Sequence, residues 1–490
     1  MEGVAQTPCL SPLIGPFGAR KWPMPQNYIP RDRDQELLLP PNLKDWLPQD
    51  HLAWFVIEAI EGFDIEPFHA SYRRDGHGAA AHDPQMMLTL LAYAYSVGER
   101  SSRQIERRCR EDVAFRVICA NQIPDHATIA RFRVRHQLAL GELFSQVLGL
   151  CAQAGLVEVG VIALDGTKLA AMASEKKTRS YGAIAAEILA EAGRIDTAED
   201  EIHGPARGDE LPEHLSRREG RRAWFREAAE RLEAQRDAQG ESVPRDRAER
   251  LEACRGRLAE DWRTERFANR EYEARFERGV LERGRQAMGS GPRPYTPPAH
   301  PEGKINTTDP DSRRMKSGPA FIQGYNAQAV TTEGQIIVAA EITTEGSDFR
   351  QLAPMIAAAE RELQGAGLRE SPGVVLADAG YWANRHIDAL RARGITPLIA
   401  ADTKGNQPRK TRLGGPYDFM RRAMATEAGG ELYSRRRWMV EPVFAQIKAN
   451  RGIWRFKRRG RAAVRSEWRL IAATHNLLKL HRHSLAAAGA

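Results

Sequence analysis

Residues 321–348 read FIQGYNAQAVTTEGQIIVAAEITTEGSD, and this stretch decides the fold class. Two runs rich in Val, Ile, Ala and Thr flank the pair Glu333-Gly334. β-Branched residues favour strands, and an acidic residue followed by Gly favours a tight turn between them. The stretch therefore predicts a β-hairpin with its turn at Glu333-Gly334.

Strand and helix patterns alternate on both sides of this hairpin. Before it, residues 156–166 (LVEVGVIALDG) predict a buried strand with Asp165 at its carboxyl end. After it, helix, strand, helix and strand are predicted at 349–367, 373–378, 384–394 and 395–401. This order predicts an α/β domain in which helices flank a mixed sheet.

Helical patterns fill the region before this domain. One helix has Asp83 as its N-cap, Pro84 at its first position and Gly98 as its stop. The next is expected to begin at Ser101, at capping-box spacing from Gln104, and to continue to about residue 122. A third is predicted to run without a break from about residue 124 to 155.

Residues 175–300 differ from both regions, because they are densely charged and helical in pattern. Their apolar positions are sparse, and Leu251 and Leu258 stand at heptad spacing. An exposed helical hairpin is the favoured interpretation, and a coiled coil is the second. The predicted organisation is an arm at 1–45, an all-α domain at 46–155, an α/β domain at 156–174 and 301–480, a helical insertion and linker at 175–300, and a tail at 481–490.

Composition limits the class of protein. The 490 residues are 42% apolar and carry a net charge of +8, which suits a folded, multidomain protein that binds nucleic acid. The five cysteines form no CxxC pair, which argues against a zinc site or a disulfide framework. No apolar run is long enough to span a bilayer. We expect a cytoplasmic, nucleoid-associated protein with no membrane partner.

Three carboxylates are candidates for metal binding. Asp165 and Asp378 each follow an apolar run, and ligands gather at the carboxyl ends of strands in open α/β sheets. Glu441 is the single acidic residue in 435–461 (RRRWMVEPVFAQIKANRGIWRFKRRGR). Mg²⁺ prefers carboxylate oxygens, and two ions about 4 Å apart can drive phosphoryl displacement. Taken singly, each residue is also typical of a turn, a helix cap or a salt bridge.

Pro442 bears on the geometry at Glu441. A residue before proline disfavours the α conformation, so the sequence predicts Glu441 at a helix start or a kink. No phosphate-binding G-x-x-x-x-G-K-[ST] loop is present, which argues against chemistry driven by a nucleoside triphosphate.

Several ordered blocks resemble the DDE transposases of bacterial insertion sequences. The similarity is closest to the group numbered eleven eighty-two, which is allied to the groups numbered four and five. The blocks are SSRQIERRCREDVAFRVICANQIPDHATIARFR (101–133), DGTKLAAMAS (165–174), TDPDSRRMKSGPAFIQGYNAQAV (308–330), DFRQLAPM (348–355), VVLADAGYW (374–382) and EPVFAQIKANRGIWRF (441–456).

The resemblance implies a ribonuclease-H-like core with Asp165, Asp378 and Glu441 as the metal-binding triad. It implies two Mg²⁺ ions, for which Mn²⁺ can substitute. The implied activity is metal-dependent DNA cleavage at element ends, followed by strand transfer into target DNA. The implied partners are double-stranded DNA with terminal inverted repeats, target DNA, and a second copy of the chain in a homodimer on DNA.

The family signature places a Tyr, an Arg, the Glu and a Lys in order around the last carboxylate. Arg437, Glu441 and Lys448 match its four- and seven-residue steps. Tyr433 stands one residue further from the Arg than the pattern has it. The resemblance therefore implies DNA contacts for Arg437 and Lys448, with Tyr433 less well placed.

Two further basic surfaces are candidates for DNA contact. Arg451, Arg455 and Lys457 surround Trp454 and Phe456, which suits phosphate contact with base stacking. The alternative is a solvated basic face whose aromatic side chains belong to the core.

Arg131 and Arg135 project from one face of the helix predicted after residue 124, as in a helix-turn-helix recognition helix. Three-helix units that do not bind DNA have the same pattern. His126 and His136 are expected on the surface.

Asp309 and Asp311 form a rival carboxylate pair. They flank Pro310, which is a turn signature. The alternative interpretation is that the basic residues within 313–316 hold DNA near the active site. Two other functions stay open from the sequence: a nuclease on the same core without strand transfer, and a catalytically inactive DNA-binding repressor.

Overall fold

The computed structural model describes residues 42–72, 80–203, 243–244, 246–283, 301–400 and 415–488. The predicted arm at 1–45 and the predicted linker segment at 289–300 lie almost wholly outside these ranges. Leu47–Ala490 forms one compact unit. Met1–Trp46 forms another, in which Leu43–Trp46 is a short 3-10 helix.

The described N-terminal region is helical, as predicted. Its helices are α1 (Leu52–Glu61), α2 (Glu66–His69), α3 (Pro84–Ser96), α4 (Ser102–Glu111), α5 (Val113–Ile118), α6 (His126–Arg135) and α7 (Gln137–Gln153). The predicted caps of α3 are confirmed: the Asp83 carboxylate accepts from the Met86 amide at 2.8 Å, and Gly98 has φ of +84°.

Three details of this region differ from the prediction. Ser101 precedes α4 but makes no side-chain cap, so the capping box with Gln104 does not form. The helix expected to follow Ser101 divides at Asp112, whose carboxylate accepts from the Ala114 amide and so starts α5. The long third helix divides at His136, between α6 and α7.

A mixed sheet forms the second part of the compact unit, and this prediction is confirmed. Its strands are β1 (Val161–Ala170), β4 (Arg313–Ser317), β5 (Ala320–Thr332), β6 (Ile337–Thr343), β7 (Val374–Ala377) and β8 (Thr396–Ile399). The order is β4-β5-β1-β7-β8, with β6 also paired to β5. The β5–β6 hairpin turns at residues 333–336, as predicted. Strands β1, β7 and β8 are parallel, whereas β1 and β5 are antiparallel.

Helices cover the sheet and extend from it. They are α8 (Tyr181–His203), α9 (Arg247–Arg283), α10 (Leu352–Gly365), α11 (Asn384–Ala392), α12 (Gly415–Ala425), α13 (Glu427–Ala445) and α14 (Arg461–Ala488). A π-helical turn, Gln446–Asn450, follows α13. A small separate sheet pairs β2 (Thr178–Ser180) with β3 (Lys304–Asn306).

The predicted insertion contains α8 and α9 as its described helices. Leu251 and Leu258 are buried, and they pack with Cys254 against Ile184 of α8 and Ile305 of β3. The heptad spacing thus serves a local apolar cluster at the base of the insertion.

Helix α14 joins the N-terminal helices to the sheet. Glu467 is buried and forms an ion pair with Arg100, with Nη1 and Oε1 2.8 Å apart. The adjacent Trp468 donates from Nε1 to the Gln328 carbonyl of β5 at 2.9 Å. Because one helix contacts both parts, the apolar core is continuous through them.

Candidate active site

The register of the sheet places Asp165 and Asp378 side by side. Strand β1 pairs with β5 from Ile162 to its end at Ala170, but with β7 only as far as Leu164↔Ala377. Asp378 is the first residue after β7, and Asp165 lies opposite it on β1. The prediction that Asp165 ends its strand was wrong, because pairing with β5 extends β1 to Ala170.

Burial dominates the electrostatics of Asp165. It raises the pKa of this carboxyl to about 6, and the negative charge of Asp378 acts in the same direction. Arg436 opposes the shift with its positive charge and its hydrogen bond. Two neighbouring carboxylates, one of them largely removed from water, form a site that favours a cation.

A glycine is required at position 166 because neighbouring side chains approach its backbone closely, and not because the backbone turns there. A Cβ atom there would overlap the Gln328 side-chain amide and lie 2.9 Å from both Asn326 Oδ1 and Asp348 Oδ1. The missing side chain lets polar groups of β5 and of the β6–α10 loop cross β1 beside Asp165.

Glu441 lies near the end of α13 with its side chain 53% exposed. The sequence predicted a helix start or a kink at this residue, and the helix start was wrong, because α13 continues through Pro442. Proline has no amide hydrogen to donate to the carbonyl four residues earlier, which is that of Trp438. Gln335 Nε2 donates to this carbonyl instead, at 2.8 Å, so the helix tolerates the proline.

Arg436 lies between the carboxylates. Its Nη1 donates to Asp165 Oδ2 at 2.9 Å, and its Nη2 lies 4.0 Å from Glu441 Oε1. Burial raises the pKa of the Tyr433 phenol, and the nearby positive charge of Arg436 opposes this shift. Arg437, which the sequence pattern selected, is exposed. The sequence signal that could have found Arg436 is its distance from Tyr433, because Arg436 lies three residues after this tyrosine, which is the step of the family signature.

The carboxylates of Asp165, Asp378 and Glu441 have the oxygen donors that a hard cation prefers, but the three do not converge on one point. Among the residues that the structure describes, no three His, Cys, Asp or Glu side chains lie together so as to hold a metal ion. Asp165 and Asp378 are adjacent, and the Arg436 guanidinium stands between Asp165 and Glu441.

Lys448 lies beside this site on the π-helical turn. Its Nζ donates to the Lys168 carbonyl of β1 at 3.4 Å, and it lies 5.7 Å from the centre of the Trp454 ring. Burial lowers the pKa of its ammonium, and the charge of Lys168 adds to the effect. Trp454 is 60% exposed, whereas Phe456 is fully buried. The core interpretation therefore holds for Phe456 and is wrong for Trp454.

Arg451 does not face solvent, in contrast to Arg455 and Lys457, which are exposed. Its guanidinium donates to the Tyr95 and Ile471 carbonyls and to Thr474 Oγ1. A buried guanidinium committed to backbone carbonyls is not available to a phosphate. The prediction of a DNA contact by Arg451 is therefore corrected to a structural role.

Residues 41–135 match the model of a transposase domain (DUF772), and residues 296–477 match that of the transposase DDE domain. Both matches support a DDE transposase. No curated protein and no solved structure matches the chain.

The DDE-domain match supports an enzyme that acts on DNA, and it contains Asp378 and Glu441. Asp165 lies before the matched segment, and β1 connects it to that segment by pairing with β5 and β7. Within the described ranges, no helix has both the length and the apolar content that a membrane crossing needs.

The helix that ends the N-terminal transposase match is α6. Arg131 and Arg135 are exposed on it, and the Arg135 guanidinium lies 5.3 Å from the centre of the Tyr72 ring. His126 is exposed, as expected. His136 is 3% exposed and packs against Phe132, so its predicted surface position was wrong.

The rival carboxylates Asp309 and Asp311 are structural. Asp309 accepts from the Tyr325 hydroxyl at 2.7 Å and from the Gly460 amide at 3.2 Å. Asp311 accepts from the Arg461 amide at 2.6 Å and pairs with Arg257 of the insertion. The two residues fasten their loop to the start of α14. The predicted turn is followed directly by the edge strand β4, which the sequence pattern did not show.

Proposed function

We propose that the chain is a DNA transposase of a bacterial insertion sequence, with a ribonuclease-H-like core, that cleaves DNA at the element ends and transfers the freed strand into target DNA. The observation that carries the proposal is the adjacency of Asp165 and Asp378 at the end of the β1–β7 pairing. The two transposase family matches support it. Acting on chromosomal DNA would place the protein in the cytoplasm at the nucleoid.

Asp165, Asp378 and Glu441 are the residues that would hold Mg²⁺, or Mn²⁺ in its place. The support is carboxylate chemistry and the raised pKa of Asp165, which marks a buried anionic site in need of a counter-charge. Divalent ions at such carboxylates activate the attacking oxygen and stabilise the leaving oxygen of a phosphoryl displacement.

The basic side chains around these carboxylates would bind the DNA backbone. Lys448 would contact a phosphate close to the acids, and the exposed Trp454 ring would stack on an unpaired base. Tyr433, whose phenol lies near the Arg436 charge, would complete this basic surface beside the carboxylates. The other proposed contacts are exposed side chains: Arg131, Arg135, Arg437, Arg455 and Lys457.

Bringing two element ends together requires two sites, so we propose a homodimer on the DNA. The ends would be recognised as terminal inverted repeats by the N-terminal helices, with α6 in the major groove. This assignment rests on the outward arginines of α6 and on the transposase match over residues 41–135.

The test is incubation of the purified protein with Mg²⁺, a target plasmid, and DNA that carries the inverted repeats flanking its gene. Strand-joined products are the expected result. Cuts without joined products would replace the transposase with a nuclease, and specific binding without cuts would replace it with a repressor.

A further inference from the structure

A fourth acidic residue, Asp348, lies against the proposed acid pair. It occupies the loop between β6 and α10, and its side chain is 17% exposed. Its Oδ1 accepts from Asn326 Nδ2 and from Gln328 Nε2, both at 2.7 Å. Both amides belong to β5, where they face Lys168 and Gly166 of β1. Asp348 is thus hydrogen-bonded to β5, the strand that pairs with the strand of Asp165.

The same network reaches Asp378 through Tyr381. The Tyr381 hydroxyl donates to Gln328 Oε1, and Tyr381 ends the 3-10 turn Ala379–Tyr381, whose N-cap is Asp378. Within that turn, the Gly380 amide donates to Asp378 Oδ1 at 2.8 Å. A Cβ atom at Gly380 would lie 3.8 Å from Asp348 Oδ2, so the Asp348 carboxylate rests on the turn.

The direction of these hydrogen bonds follows from the chemistry of the groups. An ionised carboxylate can only accept, so Gln328 must turn its NH₂ group toward Asp348. That leaves Gln328 Oε1 as the acceptor for the Tyr381 hydroxyl. Without Asp348, the Gln328 amide would lose the partner that fixes its orientation.

The Tyr381 hydroxyl is suited to remain a hydrogen-bond donor at the end of this network. It is fully buried, and burial together with the charges of Asp348, Asp165 and Asp378 raises the pKa of its phenol well above the ordinary value. The hydroxyl therefore stays protonated while the carboxylates around it are charged. Lys168 Nζ, 3.9 Å from Asp348 Oδ2, balances part of that negative charge.

We propose that Asp348 is a positioning residue for Asp378: acting through Gln328 and Tyr381, it fixes the 3-10 turn that holds the Asp378 carboxylate beside Asp165. The proposal rests on the proposed function, since Asp378 is taken as part of the active site. Asp348 itself makes no contact with DNA in this role. A misplacement of a reacting group by about 1 Å can cost about a hundredfold in rate, so such a turn needs support.

Two measurements on the full chain test the proposal. Hydrogen–deuterium exchange of the segment 376–384 reports the turn and needs no catalysis. The single-turnover rate of DNA cleavage at saturating DNA reports the position of Asp378. Asp348→Ala and Tyr381→Phe remove opposite ends of the network. Asp348→Asn keeps an acceptor oxygen, and Glu345→Gln is the control for loss of an acidic charge in the same loop.

We expect Asp348→Ala to speed exchange at Gly380 and Tyr381 and to slow cleavage at least about tenfold at unchanged DNA affinity. Asp348→Asn should recover much of that rate, and Glu345→Gln should behave as the wild type. Because both ends act through Gln328, Asp348→Ala combined with Tyr381→Phe should be no slower than the slower single variant.

Unchanged exchange of the turn in Asp348→Ala would overturn the proposal, and so would multiplied rate losses in the double variant. Should Asp348→Ala fail to fold, Asp348→Asn and Tyr381→Phe carry the same comparison. A wild type that does not cleave DNA would refute the proposed function, while the exchange measurement would still decide whether Asp348 fixes the turn.

Discussion

Arg436 donates from Nη1 to Asp165 Oδ2 at 2.9 Å, and the same guanidinium lies 4.0 Å from Glu441 Oε1. One cation of the chain therefore stands beside two of the three carboxylates proposed to hold metal. A buried carboxylate needs such a counter-charge, and a divalent ion would supply the same one. We infer that Arg436 and a metal ion compete for Asp165.

Arg436→Ala should bind Mn²⁺ about tenfold more tightly than the wild type, because the loss of one charge-assisted hydrogen bond removes the competitor. The measurement is Mn²⁺ titration followed by electron paramagnetic resonance at pH about 8.5, well above the raised pKa of Asp165. Arg437→Ala is the control, since Arg437 is the exposed neighbour on the same helix. Equal or weaker Mn²⁺ binding by Arg436→Ala would show that the two cations do not compete.

Gly166→Ala should destabilise the fold by about 1–3 kcal/mol, as overpacking does in a close-packed interior. The added Cβ would overlap the Gln328 amide and crowd Asp348 Oδ1. The free energy of unfolding by urea measures the effect. Gly160→Ala is the control, because a Cβ atom at Gly160 meets nothing within 4 Å. Equal stability of the two variants would contradict the close approach.

Arg451→Gln and Arg455→Gln should separate structure from DNA contact. Arg451→Gln leaves buried carbonyls of Tyr95 and Ile471 without their donor, at a cost of about 1–3 kcal/mol in stability. Arg455→Gln should leave the melting temperature unchanged and reduce the salt dependence of DNA binding by about one phosphate contact. Thermal melts measure the first effect and salt titrations of DNA binding measure the second. If Arg455→Gln lowered the melting temperature and only Arg451→Gln changed the salt dependence, the two roles would be the wrong way round.

His136→Phe should make the protein less sensitive to acid. Burial, with the charge of Arg135, lowers the pKa of His136 from 6.5 to about 4. The unfolded chain then binds a proton that the folded chain resists, so the stability contributed by neutral His136 is complete above pH 6.5 and is lost as pH falls toward 4. The slope is at most about 1.4 kcal/mol per pH unit.

The measurement for His136 is the melting temperature between neutral and acid pH. His136→Phe should show a smaller fall than the wild type. Part of the slope should remain, because burial also lowers the pKa of His475 to about 3. The exposed His126 supplies the control variant, His126→Gln. An unchanged fall in His136→Phe would mean that His136 titrates normally in the folded protein.

Sequence patterns predicted correctly those structural features that depend only on residues close together in the sequence. The hairpin turn at Glu333-Gly334 and the caps of α3 follow from residues within a few positions of one another. The position of Asp165 within its strand does not. Strand β1 continues past Asp165 because Gly324–Thr332, about 160 residues away, pairs with it as far as Ala170.

The same distinction separates the basic residues of the segment 435–461. Arg436 and Arg451 look like their neighbours in sequence, and each is selected by a distant partner. Asp165 stands 271 residues from Arg436, and Tyr95 stands 356 residues from Arg451. Pro442 predicted a helix start or a kink at Glu441. Helix α13 continues through Pro442 because the side-chain amide of Gln335, on the β5–β6 turn, donates to the Trp438 carbonyl, and no pattern near Pro442 shows this partner.

The most direct test of Asp165 and Asp378 as the active site is the single-turnover rate of DNA cleavage in Asp378→Asn beside Asp388→Asn. Asp388 is an exposed carboxylate on α11 of the same domain, so its variant controls for loss of charge. We predict that Asp378→Asn loses cleavage, by at least about a thousandfold, while its affinity for DNA stays within about twofold. Asp388→Asn should cleave at the wild-type rate. Cleavage by Asp378→Asn at a rate near that of Asp388→Asn would contradict the assignment of Asp165 and Asp378 as the active site.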